Sequence, residues 1–235
     1  ILMLLAFALY IFKSKQFAIY ATAVKEALFS RVKMRHIFGM GYPVAIQMGL
    51  ESSTFSFSAI MVGWIGVTAL AAHQVAITIS QLFFLLMQGL SFAISILVSN
   101  CYGKKDFDGV NAYVKRGYLM ILCTSVFLSL MLYLFRNQAV RLFTDSPEVA
   151  KIAVSLFFVL FAYQLGDGIQ LCFANVLRGL QDVKPIMYAA FVSYYIIAIP
   201  VAYVLGFKFG LGAVGVWIGF PVGLSLAGLF FFLRY

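Results

Sequence analysis

The chain reads as an all-α, polytopic transmembrane helix bundle. Three observations carry that reading. Of 235 residues, 63% are hydrophobic and only 11% are charged, where soluble domains carry about 25% charge; so little charge cannot dress a water-facing surface. The apolar residues fall in long unbroken runs, not in the alternating segments of about ten residues that build a membrane barrel. The runs are also long enough, because about 20 apolar residues cross the ~30 Å hydrocarbon core as a helix. The same composition excludes disorder. The three cysteines, Cys101, Cys123 and Cys172, sit in or beside apolar runs, which together with their odd number excludes a secreted disulfide scaffold.

Residues 1–12 are apolar but too short to span. With no basic region before them and no initiator Met they do not read as a signal peptide, and they are taken as the end of a helix whose beginning lies upstream. Residues 13–41 mix basic and apolar side chains around Lys25, Glu26 and Arg31, the pattern of a cytoplasmic interfacial linker helix. Residues 42–235 then hold six complete spans, at about 43–63, 70–99, 117–135, 152–177, 186–206 and 213–233. Between the third and fourth, residues 136–150 pair a short amphipathic stretch with a Ser146-Pro147-Glu148 helix start; a proline in a first turn loses no hydrogen bond. Pro43 and Pro185 are expected to open helices too. Pro200 and Pro221 lie inside spans, where they kink the helix or free a carbonyl, and are hinge candidates. Glycines crowd the last two spans, at Gly206, Gly210, Gly212, Gly215, Gly219, Gly223 and Gly228, as close helix packing requires.

Orientation follows from the basic residues. Connections 13–42, 100–116, 178–185 and the C-terminal end hold thirteen of the 17 lysines and arginines; the alternate connections hold four, Arg136, Arg141, Lys151 and Lys208. The first set belongs in the cytoplasm. The net charge of +9 is therefore an orientation signal, and no nucleic-acid partner is expected.

Six of the eight acidic residues lie in connections. Glu51 and Asp167 lie within spans. A charge at mid-bilayer costs at least about 2.5–3.5 kcal/mol, and such residues face a protein interior or a water-filled cavity and mark function. No Lys or Arg is placed mid-span to neutralise them as a structural pair. Helical spacing puts Gln47, Thr54 and Ser58 on the face of Glu51, with Phe55 at its border. Around Asp167 it puts Tyr163 and Gln170, with Asn175 toward the edge. The intervening span carries Gln74, Gln81, Gln88 and Ser95, seven apart, with Thr78 alongside. Three apolar spans, each with one polar face, make sense if those faces line one shared cavity. Two carboxylates sharing a low-dielectric site cannot both ionise cheaply, so the pair can hold a proton and lose it when a cation arrives. Two carboxylates with neutral oxygens from Tyr163, Thr54 and Gln47 equally suit a hard cation such as Na⁺ at Glu51 and Asp167. The residues leave the choice of ion open.

His73, near the outer start of its span, reads as a helix-end hydrogen-bonder. The cysteines lack metal spacing. There is no Walker A, Ser-His-Asp or HExxH pattern, so neither an ATP motor nor a membrane enzyme is expected, and no cofactor beyond the coupling ion.

Segments 69–106 (ALAAHQVAITISQLFFLLMQGLSFAISILVSNCYGKKD), 163–185 (YQLGDGIQLCFANVLRGLQDVKP) and 49–53 (GLESS) resemble the multidrug and toxic compound extrusion (MATE) family, closest to its bacterial NorM-type branch. The resemblance implies a fold of 12 helices in two six-helix lobes. This chain matches the end of the sixth helix, at 1–12, and the C-terminal lobe, with an N-terminal lobe as its expected partner. It implies a monomeric antiporter of the bacterial inner membrane that exports organic cations and amphipathic toxins in exchange for Na⁺ or H⁺. It also implies a cation site at Glu51, Asp167 and Tyr163, the residues the physical argument reaches independently. The mechanism expected here is that cation or proton entry neutralises the two acids and releases the drug outward, with Phe55 a candidate liner because aromatic faces suit flat cations. The rival from another class is a lipid-linked oligosaccharide flippase of similar shape. Such a protein should line its cavity with Arg and Lys to meet phosphate, and here the mid-span charges are acidic.

Overall fold

The computed structural model describes residues 5, 6, 9, 10 and 30–235. The chain divides into two compact units, Ile1–Gly39 and Met40–Tyr235. In the first, the described residues are helical apart from Ser30. Of the end-of-helix reading of 1–12 only residues 5, 6, 9 and 10 are described, all helical; the rest of it and most of the linker reading of 13–41, including Lys25 and Glu26, fall outside the described residues.

Helix α1 runs Arg31–Ile65, so residues expected at the end of the linker are already helical, and Pro43 lies inside the helix rather than at its start. It is followed by α2, Val67–Gly103, α3, Phe107–Leu134, the short α4, Arg136–Arg141, and α5, Pro147–Gly179. Helix α6 spans Lys184–Lys208 and α7 spans Gly212–Arg234. No strand occurs among the described residues. Helices α2, α3, α5, α6 and α7 are long and apolar enough to cross a bilayer. Helix α1 has the length, but Gln47, Glu51 and the Ser52-Ser53-Thr54 run lower its hydropathy.

The helix ends follow local chemistry. Asp106 caps α3, its carboxylate accepting from the Gly109 amide at 2.9 Å. Pro147 opens α5 and Pro185 opens α6, each at a first-turn position. Helix α5 ends where the chain turns at Gln181, whose φ is +64°, and the Asp182 amide reaches back to the Leu177 carbonyl at 2.9 Å.

Helix α5 is the centre of the lobe and the most buried of the long helices, packing against α2, α3 and α7. Helices α6 and α7 meet through glycines. A Cβ at Gly215 would lie 2.5 Å from the Leu205 backbone, and one at Gly219 2.8 Å from the Ala198 carbonyl oxygen. Gly210 and Gly212, expected to serve packing, instead form the turn between the helices, at φ +70° and +59°.

Helix α6 is not one regular helix. It widens into π-helical turns over Val192–Ala198 and again over Val204–Lys208, with an α-helical stretch Ile199–Tyr203 between. Pro200 opens that stretch. It has no N–H to continue an α-ladder, and just before it the Ile199 amide reaches five residues back, to the Tyr194 carbonyl. Pro221 lies within the continuous α7.

Candidate functional site

A cavity of about 380 Å³ opens between α1, α2 and α5. From α1 it is lined by Gln47, Met48, Glu51, Ser52 and Phe55, and from α2 by Ile77, Ser80, Gln81, Phe84 and Gln88. From α5 come Tyr163, Gln170, Leu171, Ala174 and Arg178. Three helices therefore bring polar side chains to one space, with Glu51 among them.

The two acids hold different positions. Glu51 is half-buried on the cavity wall, and its Oε2 accepts from Gln47 Nε2 at 2.9 Å. Asp167 is 1% exposed and does not line the cavity. By helical spacing it belongs to the same stripe as Tyr163, Gln170, Leu171 and Ala174, and its Oδ1 is buried without a hydrogen-bond partner. The two carboxylates are near enough for their charges to act on each other, and on the Tyr163 and Tyr194 hydroxyls.

An aromatic wall closes the outer side. The Phe55 ring stacks on Phe220 at 4.8 Å and meets Tyr163 edge-on at 6.5 Å. Trp217 packs edge-on against Tyr163 and Phe220. Its indole N–H donates to His73 Nδ1 at 2.9 Å, so His73 is a fully buried hydrogen-bonder.

Several expected cavity liners sit elsewhere. Thr54 and Ser58 are buried, but their hydroxyls donate to their own helix, at Leu50 O and Phe55 O, both 2.8 Å. Their side chains face a tight seam against Ala198 of α6 and Phe220 of α7. The Glu51 stripe is thus split: Gln47, Glu51 and Phe55 meet the cavity and Thr54 and Ser58 meet the seam. Along α2, Gln81 and Gln88 line the cavity, whereas Gln74 is exposed outside it and Ser95 lies against Gly179. At 1.5 Å of rise per residue the four positions extend over about 31 Å of helix, so they share a face but cannot all reach one cavity of this size. Asn175 is buried beside the cavity without lining it; its amide donates to Leu171 O at 3.0 Å.

Two participants were missed by sequence reasoning. Tyr194, on the first π segment, is buried with an unpartnered hydroxyl and shares a small pocket with Glu51, Thr54 and Phe55. A π turn shifts the helical register, so regular spacing gives no sign of it. Arg178 was assigned to the cytoplasmic connection, and the expectation that no basic side chain accompanies the acids is corrected here. It is half-buried, lines the cavity and sits within reach of the charge on Glu51. Its Nη2 donates to Gln47 Oε1 at 2.5 Å and its Nη1 to Asn175 Oδ1 at 3.2 Å. The signal was present: extending the Tyr163–Asp167–Gln170 stripe by further turns gives Ala174 and then Arg178.

Residues 43–204 match the MatE family. The chain belongs to that family. It is 36% identical over 233 residues to the multidrug resistance protein NorM of Vibrio vulnificus strain YJ016, covering 96% of this chain and 50% of that protein. It is 31% identical over 237 residues to the probable NorM of Acinetobacter baylyi, covering 99% and 52%. Among solved structures it is similar to the eukaryotic MATE transporter AtDTX14, with TM-score 0.85 and 22% identity over 97% of this chain and 51% of that one. It is also similar to a MOP superfamily transporter from Pyrococcus furiosus, with TM-score 0.78 and 19% identity over 83% and 43%. These likenesses establish the fold. The chain spans about half the length of the relatives it matches. As a MatE protein with five long apolar helices it is an integral, multi-pass protein of the bacterial inner membrane.

Proposed function

We propose that the protein is a secondary antiporter that exports organic cations and amphipathic drugs in exchange for Na⁺ or H⁺. The observation that carries this reading is the placement of the acids, Glu51 on a drug-sized cavity and Asp167 buried within reach of its charge. Ligand pockets for drug-sized molecules run about 300–1,000 Å³. The names of the relatives, multidrug resistance proteins, agree with it.

The residues fit a hard monovalent cation. Asp167 Oδ1 and the Tyr194 hydroxyl are buried without partners, and Tyr163 lies within the same field of charge. Oxygen ligands of this kind suit hard cations. A cation bound there supplies the positive charge that two carboxylates need in a low-dielectric interior. Glu51 reaches the cavity, so it is the residue that exchanges its partner, drawing in an organic cation when ionised and releasing it when neutralised. Asp167 holds the second negative charge out of contact with water. Phe55, Phe84 and Tyr163 offer ring faces to a flat cation, and Gln81, Gln88 and Gln170 give neutral polar contacts. The switch into π-helical turns around Pro200 makes α6 the natural hinge for alternating access, with Pro221 the second candidate.

Arg178 is the one observation that favours the flippase reading, because a guanidinium suits a phosphate. It is a single cation, already bonded to Gln47 and Asn175, within reach of the charge on Glu51, and the cationic substrate remains the better fit. The test is export of ethidium from a drug-sensitive host expressing the native gene product. Glu51→Gln and Asp167→Asn each reduce export to the host background; if both still export, the reading is wrong.

A further inference from the structure

We propose that Arg178 is a built-in counter-cation for Glu51, coupled to it through Gln47, and that every cation entering the cavity must outcompete it. The proposal rests on the reading of Glu51 as the cation-exchanging residue.

The geometry is a continuous chain of donors and acceptors. The Arg178 guanidinium donates to the Gln47 carbonyl at 2.5 Å, and the Gln47 amide donates to the Glu51 carboxylate at 2.9 Å. Gln47 is 1% exposed, so water does not substitute in the relay. Each bond polarises the next: a carbonyl held by a guanidinium makes its own amide N–H a stronger donor, and hydrogen bonds in low-dielectric surroundings strengthen one another in this way. Arg178 thereby favours ionised Glu51 without occupying its oxygens. Among the described residues the one direct ion pair is the exposed Arg234–Asp182, at 2.7 Å; Arg178 and Glu51 are held one residue apart. That spacing is what a displaceable partner requires. A direct buried pair is costly to break, whereas here a cation approaching Glu51 from the cavity meets a carboxylate bonded to the neutral amides of Gln47 and Gln170 and repels a guanidinium that also lines the cavity.

The relay also joins two helices. Gln47 belongs to α1 and Arg178 to the last turn of α5, where a positive side chain is favoured by the helix dipole. Asn175 steadies the guanidinium at 3.2 Å, and Arg178 Nε is buried without a partner. Cation binding at Glu51 therefore loosens a bond between α1 and the central helix, which ties site occupancy to helix position. Arg178 acts through Gln47 and is a positioning residue.

The experiment is equilibrium binding of tetraphenylphosphonium to the purified native gene product in nominally ion-free buffer. Arg178→Gln should tighten binding by about tenfold, the scale of one charge-assisted hydrogen bond. In a Glu51→Gln background the same change should leave binding unaltered. Gln47→Leu should tighten binding in the same direction, and adding Arg178→Gln to it should bring no further gain, the signature of one coupled unit. Arg178→Lys, which keeps the charge and loses the forked geometry, should fall between; it carries the test if Arg178→Gln does not fold. The proposal is overturned if Arg178→Gln, or Arg178→Lys in its place, leaves binding unchanged or weaker, or if it tightens binding equally with Gln at position 51. If Glu51→Gln alone leaves binding unchanged, it is the cation-site reading that fails, and the relay falls with it.

Discussion

Glu51 and Asp167 are equivalent in the sequence: each is an acid within an apolar span, flanked by polar residues at helical spacing. The fold gives them opposite surroundings. Glu51 stands on the cavity wall, held by Gln47 and backed by Arg178. Asp167 lies inside the central helix packing, 1% exposed, with a bare carboxylate oxygen. A cost that is the same per charge in the membrane is met for Glu51 by a hydrogen-bonded relay, whereas Asp167 keeps one buried oxygen without a partner. The first suits exchange with an outside partner, the second a charge that waits for its neighbour to be neutralised.

The contrast can be broken or sharpened by four experiments. The largest effect concerns access. Cysteine at position 51 should react with a hydrophilic methanethiosulfonate reagent, whereas cysteine at position 167 should react about tenfold or more slowly, because thiol reactivity follows exposure; equal rates would erase the distinction. Next is stability, where the signs differ. Glu51→Leu leaves the Gln47 amide without its acceptor and should lower stability by about 1–3 kcal/mol, the cost of a stranded buried donor. Asp167→Leu removes a buried carboxyl whose Oδ1 has no hydrogen-bond partner and should raise the thermal unfolding midpoint, as replacing a buried ionisable group by apolar volume often does. Midpoints shifting the same way would show that both acids are held alike.

Smaller effects follow from the hydroxyls around the pair. Tyr194→Phe removes the unpartnered hydroxyl near Glu51 and should weaken cation binding by about two- to tenfold, the range of a single neutral hydrogen bond, with little change in stability. Ser53→Ala loses the 2.5 Å hydroxyl contact to Tyr195 between α1 and α6 and should cost about 0.5–1.5 kcal/mol without altering cation affinity. A cation-binding change in Ser53→Ala larger than in Tyr194→Phe would place the site at the Ser53–Tyr195 contact and not beside Tyr194.

Much of this was legible before any coordinates. Run length and apolarity announce α2, α3, α5, α6 and α7. Single acids in apolar runs announce Glu51 and Asp167, and a four-residue step finds Gln47 and Tyr163. What stayed hidden has physical causes. Arg178 is near a helix end, where a charge is ordinary, and its long side chain is what carries it back to Gln47. Tyr194 is displaced by a π turn that no α-helical spacing describes. Thr54 and Ser58 share the stripe of Glu51 in projection, but a face wide enough to meet both the cavity and the α6–α7 seam is divided by packing, not by sequence. Gln74 stands about two turns, or about 10 Å, along the helix from Gln81, and the cavity does not extend that far. Period locates a face; only the neighbours decide what that face meets.

The central claim is that Glu51 and Asp167 work as one unit. Its most direct test is gradient-driven ethidium efflux from proteoliposomes holding the native gene product, run with a Na⁺ gradient and with a proton gradient. The account predicts that Glu51→Gln, Asp167→Asn and the double variant are equally inactive under whichever gradient drives the unaltered protein, because losing either acid disables the pair. Efflux that persists in either single variant, or that declines in separate steps to the double, would contradict it.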